Sequence, residues 1–222
     1  SWYQALQVER ITGQLGDASL DRILLTSRRF PVSGGAAHVS QAFGDAPVHI
    51  HSAGQAALET GDFFTTWANR YDSDMPRTST HGLSEGDVFP LGEGEVVVVH
   101  LPGHTNDGLG FHLPHLSTLV VGALLPRADR PTRWDLPGGS LLDVVKSLKR
   151  IRRMKLSSLV PLQGPAIRGT DHVKDVLDRH LRFYEEAVQN DGRPPTSWER
   201  PASTAVWLTP RTPWPLEEQE SV

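Results

Sequence analysis

The sequence predicts an α/β fold, and three observations carry the prediction. Apolar runs of strand length alternate with helical patterns along residues 2–189. Turn residues (Gly, Pro, Asn and Asp) separate them. The two longest patterned segments, 140–155 and 171–189, place their apolar residues on one helical face.

Taken in order, residues 2–15 space Leu6, Val8, Ile11 and Leu15 as a short helix does, and Gly16-Asp17 closes it. Residues 22–26 (RILLT) read as a buried strand. Gly34-Gly35 opens a helix to about Phe43. Residues 47–51 (PVHIH) alternate as a strand, and 53–58 read as a helix. Strands follow at 86–89 and 95–101, then a tight polar turn at Thr105-Asn106-Asp107-Gly108. Further strands are expected at 109–113 and 118–125, a helix at 140–155, a short strand at 159–160 and a long helix at 171–189. From 193 onward six prolines break any regular pattern, while Trp198, Trp207 and Trp214 supply aromatic surface that disordered tails seldom carry. We therefore expect one domain over 1–192 and an extended, partner-binding tail over 193–222.

Composition narrows the function classes. The chain has 222 residues, a net charge of -4 and no cysteine, so disulfides and thiolate metal sites are excluded. The acidic balance argues against a generally basic nucleic-acid binder. Apolar stretches such as 96–99 and 119–125 are too short to span a bilayer, and no targeting segment is legible at Ser1. One local exception is basic: 146–155 holds Lys146, Lys149, Arg150, Arg152, Arg153 and Lys155. That stretch reads either as an RNA-contacting face or as the solvated side of an amphipathic helix.

Four motifs in order carry a family resemblance. Ile23-Leu24-Leu25-Thr26 precedes Gly34-Gly35 by the spacing that flanks a T-H-x-H-x-D-H-x-G-G signature. His100-Leu101-Pro102-Gly103-His104-Thr105 resembles an H-T-P-G-H-T turn. Thr118-Leu119-Val120-Val121-Gly122 resembles a strand leading to a bridging aspartate, and Val160-Pro161-Leu162-Gln163-Gly164-Pro165 resembles an L-P-G-H-G-P loop. Together they resemble the metallo-β-lactamase superfamily, in particular its glyoxalase II and mitochondrial β-lactamase-like ribonuclease branch. The resemblance implies an αββα sandwich. It also implies further strands ahead of the signature, which residues 1–21 do not supply, so either those strands lie upstream of Ser1 or an N-terminal sheet edge is left open.

Carried over residue by residue, the resemblance assigns the metal-ligand positions to Ser27, Arg29, Pro31, Val32, His104, Ala123 and Gln163. Only His104 retains a metal-binding side chain. Zinc needs three or four N, O⁻ or S⁻ ligands. Arg29 instead carries a permanent positive charge at one of these positions. No metal and no cofactor are therefore expected. His49 and His51 share one strand face, a spacing that can hold a metal but reads better as packing; nothing specific favours a site rebuilt from His51, His104 and Asp107. Arg28 and Arg29 could bind an anion or sit in an internal ion pair.

The expected function is that of a catalytically inactive metallo-β-lactamase-like protein, a structural or interaction subunit of a larger assembly. The family branch suggests an intracellular, mitochondrial ribonucleoprotein, with protein partners and RNA. Two alternatives stay open. One is a hydrolase, lyase or nuclease with a metal-independent or relocated site. The other is a binding protein for small anions that uses Arg28 and Arg29.

Overall fold

A computed structural model describes residues 2–195, and two compact units divide at Ser84/Glu85. The tail tryptophans Trp198, Trp207 and Trp214 lie outside the described residues. In the first unit come α1 (Trp2–Leu15), β1 (Ile23–Leu24), α2 (Phe30–Ser33), α3 (Ala36–Ala42), β2 (Val48–His51), α4 (Ser52–Thr60) and β3 (Thr80–Leu83). The second unit contains β4 (Val88–Leu91), β5 (Gly94–His100), β6 (Leu109–Leu113), β7 (Thr118–Gly122), α5 (Leu141–Arg153), β8 (Ser158–Pro161), β9 (Ile167–Arg168) and α6 (Thr170–Gln189).

The first unit is built on a parallel sheet in the order β1-β2-β3, with Val48 facing Ile23 on one side and Thr80 on the other. Parallel neighbours need a crossover, which α2 and α3 supply on one connection and α4 on the next. β2 shows the alternation its sequence promises: Val48 and Ile50 are buried while His49 and His51 share the other face. Val48 and Ile50 pack with Leu25, Ala36, Leu58 and Met75 in one core. Removing that apolar surface from water contributes about 25 cal/mol per Å² to stability. The strand expected at 22–26 forms a ladder only at Ile23–Leu24; the Leu25 amide still donates to the His49 carbonyl at 2.9 Å before the chain leaves the sheet toward α2. β3 (THGL) was not foreseen; it holds no apolar alternation and is specified by pairing with β2.

The second unit has six strands in the order β4-β5-β6-β7-β8-β9, antiparallel except for β7 beside β8. The run at 118–125 stops being a strand at Gly122, where the β7–β8 register shifts. α5 and α6 bury Val144, Leu148, Ile151, Val173, Val176 and Leu177 against Leu119, Val121 and Leu159. Ser140 caps α5 by accepting the Asp143 amide at 3.2 Å. Arg150, Arg152 and Arg153 fall in its last turn, where the helix dipole favours cations. Among the described residues no helix is long and apolar enough to cross a membrane.

Candidate functional site

Of the seven positions that the resemblance assigns to metal ligands, Ser27, Arg29, Pro31 and Val32 belong to the first unit and His104, Ala123 and Gln163 to the second. In the first, residues 26–35 leave the sheet and turn into α2. Ser27 is fully buried and its Oγ accepts the Arg29 amide at 3.2 Å, a local turn contact that occupies the hydroxyl structurally. Pro31 sits in the first turn of α2, a place its fixed φ suits, and is exposed. Val32 is half-buried. Neither offers a donor atom.

Arg29 is the dominant feature. Its side chain is 2% exposed, and Nη1 donates to the Thr65 carbonyl at 2.8 Å. The acceptor belongs to a tightly tied turn. Asp62 Oδ1 accepts from the amides of Phe64 and Thr65 at 2.9 and 3.0 Å, and Oδ2 accepts from the Thr65 hydroxyl at 2.7 Å. Those bonds from Thr65, then Phe64, and the nearby charge of Arg28 hold the Asp62 carboxyl below its ordinary pKa. The Phe30 amide closes the link by donating to the Thr66 carbonyl at 2.8 Å. Arg28 is 6% exposed. Arg28 and Arg29, for which the sequence left anion binding and internal pairing open, are thus buried, one on a carbonyl and the other within electrostatic reach of a carboxylate.

In the second unit the 101–108 turn carries His104, half-buried. The Thr132 hydroxyl donates to the Ala123 carbonyl at 2.7 Å, and His104 Nδ1 lies 3.0 Å from that hydroxyl and 2.9 Å from the Arg133 carbonyl. A carbonyl only accepts, so Nδ1 carries the proton. Metal-ligating histidines use this same outer arrangement, but here it serves a single imidazole. Ala123 offers no donor, and the exposed Gln163 is fixed beside the same loop through its amide, which donates to the Pro126 carbonyl at 2.9 Å. A zinc or di-iron centre does not fit this set of side chains: it provides one imidazole, one neutral amide and a buried guanidinium. Among the described residues no three His, Asp or Glu side chains converge as a metal site. His49 stacks against His81 at 5.0 Å, and His51 Nδ1 accepts the Ala53 amide at 3.1 Å, capping α4.

The network around Thr132 was not legible in the sequence. Tyr184 accepts the Thr132 amide and donates to its carbonyl at 3.3 Å, and burial raises its pKa well above the phenolic range. Arg127 pairs with the fully buried Asp129 at 3.1 Å in the same loop. The only sequence signal was the density of Arg and Asp over 127–135.

Nearby, His180 donates Nε2–H to the Ala128 carbonyl at 3.0 Å, and burial pushes its pKa down to about 4 from 6.5. Between those values the unfolded chain takes up a proton that the folded one refuses, so stability falls as pH drops. The expected loss is on the order of 2–3 kcal/mol by about pH 4.5. Urea midpoints at neutral and acid pH measure it, and His180→Gln should flatten the dependence relative to the parent.

The six basic residues of 146–155 differ in circumstance. Lys146 pairs with Asp143, Lys149 with Glu185 at 2.7 Å, and Arg152 with Asp178 at 2.6 Å. Arg150 donates to Glu85 at 2.9 Å, which lowers the Glu85 pKa and raises its own. Arg153 and Lys155 are exposed, and among the described residues neither forms an ion pair.

A family model described as the metallo-beta-lactamase superfamily matches residues 33–163. The acyl-coenzyme A thioesterase MBLAC2 of Gallus gallus is 28% identical over 151 residues, covering 61% of this chain and 52% of that protein. The chain spans about half or less of the length of the curated relatives it matches. Among solved structures, the BLEG-1 B3 metallo-beta-lactamase aligns with a TM-score of 0.65 at 20% identity, over 74% of this chain and 78% of that one. TTHA1623, solved in a di-iron-bound form, aligns at 0.61 and 27% identity, over 76% and 80%. The α/β architecture expected from the four motifs is the one these structures share.

Proposed function

Because the chain belongs to the metallo-beta-lactamase superfamily yet carries one imidazole across seven ligand positions, we propose that it is a non-catalytic member. In this reading it works as a structural or interaction subunit of a larger assembly. The observation that carries the proposal is Arg29: a permanent cation, 2% exposed and bonded to the Thr65 carbonyl, at a position the family gives to a metal-binding histidine. A cation there opposes a second cation instead of holding it. Without a metal nothing lowers the pKa of water toward about 7. The Pro/Trp-rich stretch 193–222 supports the interaction role by composition alone.

The relative MBLAC2 is named for acyl-coenzyme A thioester hydrolysis, which makes that reaction the relevant assay. The full chain should hydrolyse an acyl-coenzyme A no faster than buffer, with or without added zinc, iron or manganese. Metal-dependent turnover that disappears in His104→Ala would overturn the proposal. For the subunit role, the tagged protein should elute from native extracts in a complex, and deleting 193–222 should release it. Elution as a monomer in both forms counts against that role.

A further inference from the structure

The second unit contains a cavity of about 380 Å³ at the end of α5 and the start of α6. That volume is in the range of small-ligand sites, about 300–1,000 Å³. Its floor is apolar, with Met154, Val173 and Leu177, and its polar lining includes Arg153, Lys155 and Lys174. Among the described residues no acidic side chain lines it. Arg152 also borders the cavity, but Asp178 engages it at 2.6 Å. The other three are exposed cations without an ion pair among the described residues. Ser117 and Ser157 add hydroxyls, and their segments are tied together where the Ser157 amide donates to the Ser117 carbonyl at 2.8 Å.

We propose that this cavity binds a small organic phosphate, its phosphoryl group between Arg153, Lys155 and Lys174 and its less polar body on Met154, Val173 and Leu177. Three like charges around one concavity repel each other, and a dianion converts that repulsion into attraction. The apolar floor favours a phosphate attached to an organic body over the free ion. Distribution of charge along α5 favours a compact ligand over RNA. Lys146, Lys149 and Arg150 are matched by Asp143, Glu185 and Glu85, so the unmatched positive charge gathers at the cavity and does not continue along the helix. The cavity lies at the start of β7, beside Ser117, whereas the ligand-equivalent Ala123 follows its other end.

Calorimetric titration of the full chain with ADP at low salt tests this, with inorganic phosphate and a short single-stranded RNA as parallel arms. ADP should bind at one equivalent and more tightly than inorganic phosphate. Lys155→Glu with Lys174→Glu should weaken ADP by at least about tenfold while leaving the melting temperature nearly unchanged, since both residues are exposed. Lys174→Ala should give a smaller loss in the same direction. Lys146→Glu, a charge reversal elsewhere on α5, should leave affinity within about twofold. Absence of ADP binding, equal weakening by Lys146→Glu, or RNA binding without ADP binding would each overturn the proposal.

Discussion

Arg29→Ala should destabilise the protein by about 3 kcal/mol, because it leaves a void where a large side chain was buried and deprives the Thr65 carbonyl of its donor. Arg29→Met should cost less, about 1–2 kcal/mol: it keeps most of the volume, loses the hydrogen bond and removes a charge from a buried place. Arg29→His carries the strongest contrast. It places a histidine where the resemblance assigns one, yet it should lower stability and bring no metal, since Ser27, Pro31 and Val32 still offer no ligand set. Urea denaturation gives the stability order, and elemental analysis of the histidine variant gives the metal. Equal stability of all three variants with the parent would mean that the Arg29–Thr65 link does not hold the 62–66 turn.

Gly103→Ala should be at least as damaging, about 3 kcal/mol or more, for two reasons that act together. Gly103 has φ 142°, which side chains rarely adopt, and a Cβ there would lie 2.7 Å from the backbone N and Cα of Val144. Neither can move cheaply: the Ser140 amide donates to the Gly103 carbonyl at 2.9 Å and the Ser147 hydroxyl to the Pro102 carbonyl at 2.7 Å. The start of α5 is therefore built onto this turn. Gly92 is the control, with φ 58° and open space where its Cβ would be, so Gly92→Ala should cost only the backbone strain of about 1 kcal/mol. Thermal or urea denaturation of the pair separates collision from strain.

The Pro102-Gly103 turn has a packing task, docking α5, that is independent of any metal. At Pro31, Val32 and Ala123, which the resemblance assigns to ligands, the side chains carry no donor atom. Pro31 now suits a helix start, and Ala123 presents its carbonyl to Thr132.

Much of the fold was legible because it rests on local periodicity. The alternation of residues 47–51 and the apolar faces of α5 and α6 place their own side chains correctly. What escaped depends on partners distant in sequence. β3 and β9 lack apolar alternation and are set by pairing with β2 and β8. Thr132 acquires its role from Tyr184, 52 residues away, and from Ala123. The candidate site was legible in the opposite sense. Residue identities alone show which side chains carry no donor atom at the positions that the resemblance assigns to ligands, whereas the carbonyl that receives Arg29 and the carboxylates that match α5 cannot be read from them. The basic run 146–155 shows the difference: composition makes it uniform, and the ion pairs divide it into a matched stretch and an unmatched end beside a cavity.

The measurement that bears most directly on the proposal of a metal-free protein is elemental analysis of the full chain, expressed in metal-supplemented medium and purified without chelator. Zinc, iron and manganese should each be present at far less than one equivalent, unchanged in His104→Ala. One equivalent or more of any of them, retained through gel filtration and lost in His104→Ala, would contradict the proposal that this metallo-beta-lactamase-superfamily chain works without a metal.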